Sequence, residues 1–320
     1  MTAAAAPSLD DVRAAAERIA GSAIRTPLVR LGLDGAPAEI YLKLECLQPI
    51  GSFKIRGAAS AMSLAGDALR AGVYTASAGN MAQGVAWEAR RRSVPCTVVV
   101  PDTAPQTKLA AIERLGAQIV ERSFDEWWDV IATHRFEALS DRVFVHPVSD
   151  PAVMAGNGTI GLEIVEDLPE VDAVVVPYGG GGLSTGIASA VKALRPQAKV
   201  FASESETSAP FAAALAAGLP VEAPYTPSFV DGIGSRRVLD EMWPVVSSLL
   251  DGSLVASLKD TAGAVALTAE RNRVIAEGAA GTAVAAALSG QAGTGTVVCV
   301  VSGGNIDASK LSTILAGGVP

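Results

Sequence analysis

The feature that most restricts this chain is a valine-rich run that ends in four glycines: Ala173-Val-Val-Val-Pro177-Tyr178-Gly179-Gly180-Gly181-Gly182-Leu183. A short β-branched run without polar alternation reads as a strand buried on both faces, the habit of parallel sheets with helical crossovers. Glycines let backbone N–H groups come close to an anion, and the helix expected to follow adds its dipole. A flexible turn is the other reading. It is disfavoured because each glycine costs chain entropy and a turn does not require four.

The rest of the chain repeats the pattern. Strands are predicted at 40–44, 73–76, 96–100, 118–120, 143–145, 173–176, 200–202 and 296–301. Helices are predicted at 12–19, 54–70, 80–92, 106–115, through Trp127 and Trp128, 154–166, 182–194 and 261–277. Ser8 and Asp11 read as a capping box, Gly116 as a helix C-cap, and Pro220 to Pro227 as a surface loop. Strands alternating with helices imply βαβ units and an α/β fold. At 320 residues the chain has room for about two domains or one large α/β unit.

Composition removes several function classes. The chain is 49% hydrophobic and carries 25 Lys+Arg against 33 Asp+Glu, a net charge of −8. It therefore has the core of a globular protein and lacks the basic footprint of a nucleic-acid binder. Cys46, Cys96 and Cys299 are far apart and odd in number, and His134 and His146 are the only histidines. No disulfide framework or multi-histidine metal site is expected. We read both histidines, Trp127 and Trp128 as structural. With no basic leader and no long uninterrupted apolar run, the expectation is a cytoplasmic protein without membrane partners.

Four predicted strand ends carry unusual residues, and parallel sheets bind ligands there. The glycine run is the first. It lacks the Lys-Ser/Thr of a P-loop, and it misses G-x-G-x-x-G because the last position falls on Ser184 or Thr185. Glu204 keeps a weak nicotinamide reading open. The second is Gly51-Ser52-Phe53-Lys54, where Lys54 is either a solvated helix lysine or a desolvated amine nucleophile. The third, Ser77-Ala78-Gly79-Asn80-Met81, offers N–H donors and an amide to an anion, or a plain N-cap. The fourth, Ser302-Gly303-Gly304-Asn305, places a hydroxyl after the last strand.

Together these segments resemble the fold type II pyridoxal-phosphate enzymes, within them the threonine/serine dehydratase and serine racemase branch. The likeness runs from Thr26-Pro27-Leu28 to Asn305, through His146-Pro147, Ala155-Gly156-Asn157-Gly158-Thr159 and Asp231-Gly232. It implies a two-lobed, tryptophan synthase β-like fold with parallel or mixed sheets, helices on both faces and the cofactor in the interlobe cleft. Residues 1–71 and 148–320 would form the large cofactor-binding lobe, and 72–147 a small mobile one. By position, Lys54 would bond the cofactor aldehyde as a Schiff base and then act as base at Cα, with Ser77 the second catalytic residue. Phe53 would flank the ring, Asn80 would bond its hydroxyl, and Ser302 would meet its nitrogen. Gly179, Gly180, Gly181, Gly182 and Leu183 would cradle the phosphate. Ser77, Ala78, Gly79, Asn80 and Met81 would line the substrate site. A serine hydroxyl does not keep the ring nitrogen protonated as a carboxylate would, which favours quick loss of a β-leaving group. The implied reaction is elimination of water from threonine, serine or a related hydroxy amino acid, giving a 2-oxo acid and ammonia. The implied assembly is a homodimer.

Departures from the family pattern shape the reading. Racemases of this branch carry a serine where this chain has Ala78, so dehydration is favoured over racemisation. Met81 replaces a loop histidine, Asn157 a glutamine, and Glu277-Gly278 a Glu-Pro pair. These leave room for a substrate other than threonine. Glu204 matches the first ligand of a divalent-cation site (Mg²⁺ or Ca²⁺) in many relatives, while the later acidic position is Pro210. β-Replacement, nicotinamide oxidoreduction and a non-catalytic binding module remain the alternatives.

Overall fold

Ser8 closes the first helix as its sequence requires. Its Oγ accepts from Asp11 N at 3.1 Å and the Asp11 carboxylate accepts from Ser8 N at 2.9 Å, giving α1 (Leu9–Arg18). The computed structural model describes residues 3–320.

Two sheets organise the chain. The larger has six strands, β1 (Leu28–Arg30), β2 (Glu39–Lys43), β7 (Ala173–Pro177), β8 (Lys199–Ser205), β9 (Gly252–Ala256) and β10 (Thr296–Val300), in the order β1-β2-β10-β7-β8-β9. β1 runs antiparallel to β2, and every other pairing is parallel. The smaller sheet, β5-β4-β3-β6, is parallel throughout and uses β3 (Val73–Ala76), β4 (Cys96–Pro101), β5 (Gln118–Arg122) and β6 (Val143–Phe144).

The valine runs are buried on both faces. Val174, Val176, Val298 and Val300 pack on α6 (Pro151–Asp167), α7 (Gly182–Leu194) and α9 (Trp243–Leu249). Val175, Val297 and Cys299, one residue out of phase, pack on α10 (Leu258–Leu267), α11 (Gly278–Leu288) and α12 (Ala308–Leu315). Each fully buried valine contributes on the order of 1.5–3 kcal/mol. The small sheet repeats the scheme. Val73, Val98 and Val100 face α2 (Lys54–Ala65), α3 (Asn80–Arg92) and α4 (Gln106–Arg114), while Tyr74, Ala76 and Val99 face α5 (Phe124–Thr133). α8 (Pro210–Ala217) completes the helices.

Two expected helices end early. α2 stops at Ala65, where Gly66 takes φ +53°, and a 3-10 turn carries the chain to Ala71. The helix expected over 261–277 is α10 followed by a π turn over Thr268–Asn272, and Arg273 breaks it at φ +58°. Glu277 is therefore the N-cap of a separate helix, α11. β1, α8, α9, β9, α11 and α12 carried too little pattern to be read from sequence. Cys96 and Cys299 are buried, Cys46 is half-buried, and all three are free.

Candidate active site

The C-terminal ends of β3, β4, β6, β7 and β10 open into one cleft of about 610 Å³ between the two sheets. It collects Lys54, Ser77–Met81, Gly179–Leu183 and Ser302, which lie up to 248 residues apart in the chain.

Lys54 is the first residue of α2. Its Nζ donates to Pro147 O at 2.8 Å and lies 5.2 Å from the Phe53 ring centroid. Burial lowers its pKa from 10.5 to about 8, and the nearby Glu277 carboxylate opposes that shift. The start of α2 is fixed from two sides. Phe53 N donates to Ser302 O at 2.9 Å, and Arg56, two residues past Lys54, is buried between Glu45 and Glu163 at 2.8 and 2.6 Å. Lys54 is thus a partly desolvated amine with a defined partner, not a solvated helix lysine.

The glycine run is a backbone cradle. Gly181 takes φ +94°, and the first backbone bond of α7 is Thr185 N to Gly181 O at 2.9 Å. The amides of Gly182, Leu183 and Ser184 have no intrahelical acceptor, as at any helix start. Space is the second constraint. A Cβ on Gly180 would stand 2.5 Å from Val148 Cγ2, and one on Gly182 would collide with Val148 O. Gly180 and Gly182 are therefore required because Val148 lies directly on the loop, and Gly181 by its left-handed backbone.

That segment is shaped by His146. Its Nδ1 accepts from Val148 N at 3.2 Å and Ser149 N at 2.8 Å, and burial pushes its pKa down to about 3. His146 stacks on His134 with centroids 4.2 Å apart, and His134 faces Glu241 at 3.4 Å. With Nδ1 occupied by N–H donors, His146 serves the turn that presents Pro147 O to Lys54.

The loop after β3 is also rich in donors. Gly79 N donates to Ser77 Oγ at 3.2 Å, no side chain caps α3, and its first backbone bond is Gln83 N to Gly79 O at 3.3 Å. The amides of Asn80, Met81 and Ala82 are left without an intrahelical acceptor. Ala78 and Met81 also line the cleft, and the Met81 side chain is buried in the small-lobe core.

Asn80 is tied to groups that sequence reasoning did not count as site residues. Its Nδ2 donates to both Glu277 oxygens at 3.1 and 3.2 Å, and its Oδ1 accepts from Asn305 Nδ2 at 2.8 Å. Burial, with Asp231 adding, raises the Glu277 pKa from 4.5 to about 7, against the Asn80 bond. The Glu277-Gly278 departure from the family pair was the available signal. Trp127 is a correction: expected to be structural, it lines the cleft.

Glu204 lies apart from the cleft. Its oxygens accept from Phe211 N and Ala212 N at 2.8 Å each, and Oε2 also from Ser253 Oγ at 2.5 Å. The carboxylate holds the start of α8, and Pro210 brings no second acid. These residues do not fit a divalent cation.

Three comparisons agree with this geometry. A family model described as pyridoxal-phosphate dependent enzyme matches residues 19–303. The L-threonine ammonia-lyase of Thermotoga maritima is 39% identical over 318 residues, covering 98% of this chain and 79% of that protein. The catabolic L-threonine dehydratase of Escherichia coli is 38% identical over 315 residues, 96% of this chain and 95% of that one. The structure of maize serine racemase superposes with a TM-score of 0.89 at 32% identity, covering 96% of each chain.

Proposed function

The chain belongs to the pyridoxal-phosphate dependent enzyme family, and from that premise we propose that it eliminates water from a β-hydroxy amino acid of the threonine or serine kind. The products would be a 2-oxo acid and ammonia; threonine would give 2-oxobutanoate with no net oxidation. The observation that carries the proposal is the partly neutral Lys54 amine at the floor of a cleft with two donor-rich loops.

The residues present fit the cofactor. The start of α7 leaves amides without intrahelical acceptors, and the glycine run lines the same cleft as Lys54. Bound pyridoxal phosphate supplies an electrophilic aldehyde and a conjugated ring that takes up electrons released at Cα. Lys54 Nζ would hold the cofactor through its aldehyde carbon until the substrate amine displaces it, and the freed amine would then take the Cα proton. A pKa near 8 leaves a useful neutral fraction at ordinary pH. The amides of Gly182 and Leu183, with Gly179 to Gly181, would hold the phosphate. Phe53 would lie against the ring, Ser302 Oγ would face its nitrogen, and Asn80 would turn a remaining N–H to its hydroxyl. The amides after Ser77 would bind the substrate carboxylate with Ser77 Oγ. Ala78 has no proton to deliver at the opposite face, so racemisation is not part of the proposal.

Residues 72–147 would close over the bound substrate and exclude water. A cytoplasmic homodimer completes the proposal; gel filtration with light scattering tests the dimer. No helix among the described residues is long and apolar enough to cross a membrane.

The test is a visible spectrum of the protein loaded with pyridoxal phosphate, before and after L-threonine or L-serine, with 2-oxo acid, ammonia and residual chirality assayed together. Lys54→Ala should lower turnover by roughly a hundred to ten thousand fold, the range of a general base. A colourless protein, or a variant as active as the parent, would overturn the reading.

A further inference from the structure

We infer that Trp127 is the wall that limits the size of the substrate's side chain, an inference that rests on the elimination reading above. Trp127 stands in the first turn of α5, just beyond the end of β5, where the small sheet opens into the cleft. Trp127 lines the cleft that holds Lys54 and Ser77. It also lines a second, largely apolar cavity of about 760 Å³, walled by Phe124, Trp128, Ile131 and Tyr225. The opposite boundary is equally thin: Ile233 faces the cleft and Gly234, the next residue, faces the second cavity. Among the described residues, Trp127 is the one that lines both spaces.

The ring is held by packing. Phe124 and Trp128 lie 5.6 and 6.2 Å from it, centroid to centroid, and its buried Nε1 has no hydrogen-bond partner among the described residues. Replacing it breaks no hydrogen bond. With the carboxylate held at the loop after Ser77 and the Cα proton facing Lys54 Nζ, the β-substituent extends toward the wall of Ile233 and Trp127. On this placement the wall would admit a methyl and exclude an aryl group. Without the indole, the cleft gains an apolar chamber that already has aromatic walls.

The experiment compares L-threonine with L-threo-3-phenylserine on the loaded enzyme. The parent should favour threonine. Trp127→Ala should move the kcat/KM ratio toward phenylserine by about tenfold or more, the scale on which apolar pockets discriminate. The change should fall mainly on KM for phenylserine, with kcat for threonine retained. Trp127→Phe should lie between, and Tyr225→Phe, in the wall of the second cavity and absent from the cleft lining, should leave the ratio alone. Calorimetric binding of L-phenylalanine against L-alanine, neither of which has a β-hydroxyl to lose, makes the same comparison without turnover. A parent that accepts phenylserine as readily as threonine, or a folded Trp127→Ala with unchanged turnover and binding ratios, overturns the wall. A parent that binds amino acids and eliminates from none of them overturns the elimination reading, and the binding ratio then decides the wall alone.

Discussion

Lys54, half-buried, and Glu277, buried, are ionisable groups whose pKa values are shifted toward neutrality from opposite sides, one down to about 8 and the other up to about 7. Burial drives both shifts because it disfavours the charged form of each. For Glu277 the consequence is a stability slope. Between its ordinary value of 4.5 and about 7, the folded state holds a proton that the unfolded state has lost. Stability should therefore fall as pH rises through that window and level off above it. Glu277→Gln should remove this slope, read as denaturant midpoints between pH 4.5 and 7.5. An unchanged slope would place the titration elsewhere. Lys54 was singled out in the sequence only by the resemblance of four segments taken together; Ser52-Phe53-Lys54 alone left a solvated helix lysine open. Glu277 was not, because the pattern over 261–277 read as one helix. Only the π turn and the break at Arg273 turn its carboxylate toward Asn80.

At the scale of elements, α2 is the part that places the amine. Arg56 anchors its first turn by donating from Nε to Glu45 at 2.8 Å and from Nη1 to Glu163 at 2.6 Å, and Lys43 Nζ also meets Glu163 at 2.6 Å. Removing one partner of such a buried cluster leaves uncompensated charge, at a cost of about 3–5 kcal/mol. Arg56→Met should lower stability by that amount in urea unfolding. If it folds, the variant should also lose cofactor colour, because the turn carrying Lys54 is released. A stability loss below about 1 kcal/mol would mean that the hydrophobic side of α2 holds it unaided. The strands β4, β7 and β10 were readable because continuous apolar runs bounded by glycine or proline have few other fates. The edge strands β1 and β9 were not: each is short, pairs along one side only, and owes its conformation to the neighbour it meets.

The whole molecule places two sheets with their strand ends toward one cleft, and the closure proposed for residues 72–147 is tested at this scale. Lys108 on α4 already reaches Asp231 across the mouth at 3.0 Å, an exposed pair worth at most about 1 kcal/mol. Hydrogen exchange should show amides of residues 72–147 slowed by a bound, unreactive amino acid, with the strands of the six-stranded sheet unchanged. Equal slowing in both lobes would indicate a rigid cleft. Trp127 belongs to this scale. In the sequence it is one of two adjacent tryptophans with no motif around it, and only the meeting of α5 with the 222–241 segment makes it a wall between two cavities. By itself the sequence determined the α/β class, the parallel strands and the glycine run, because periodicity and backbone sterics act over a few neighbouring residues. The tertiary structure alone decided that Val148 lies on the glycines, that Glu277 and Asn305 hold Asn80, and that Glu204 caps a helix. Those depend on which distant segments share a volume, and local pattern carries no record of that.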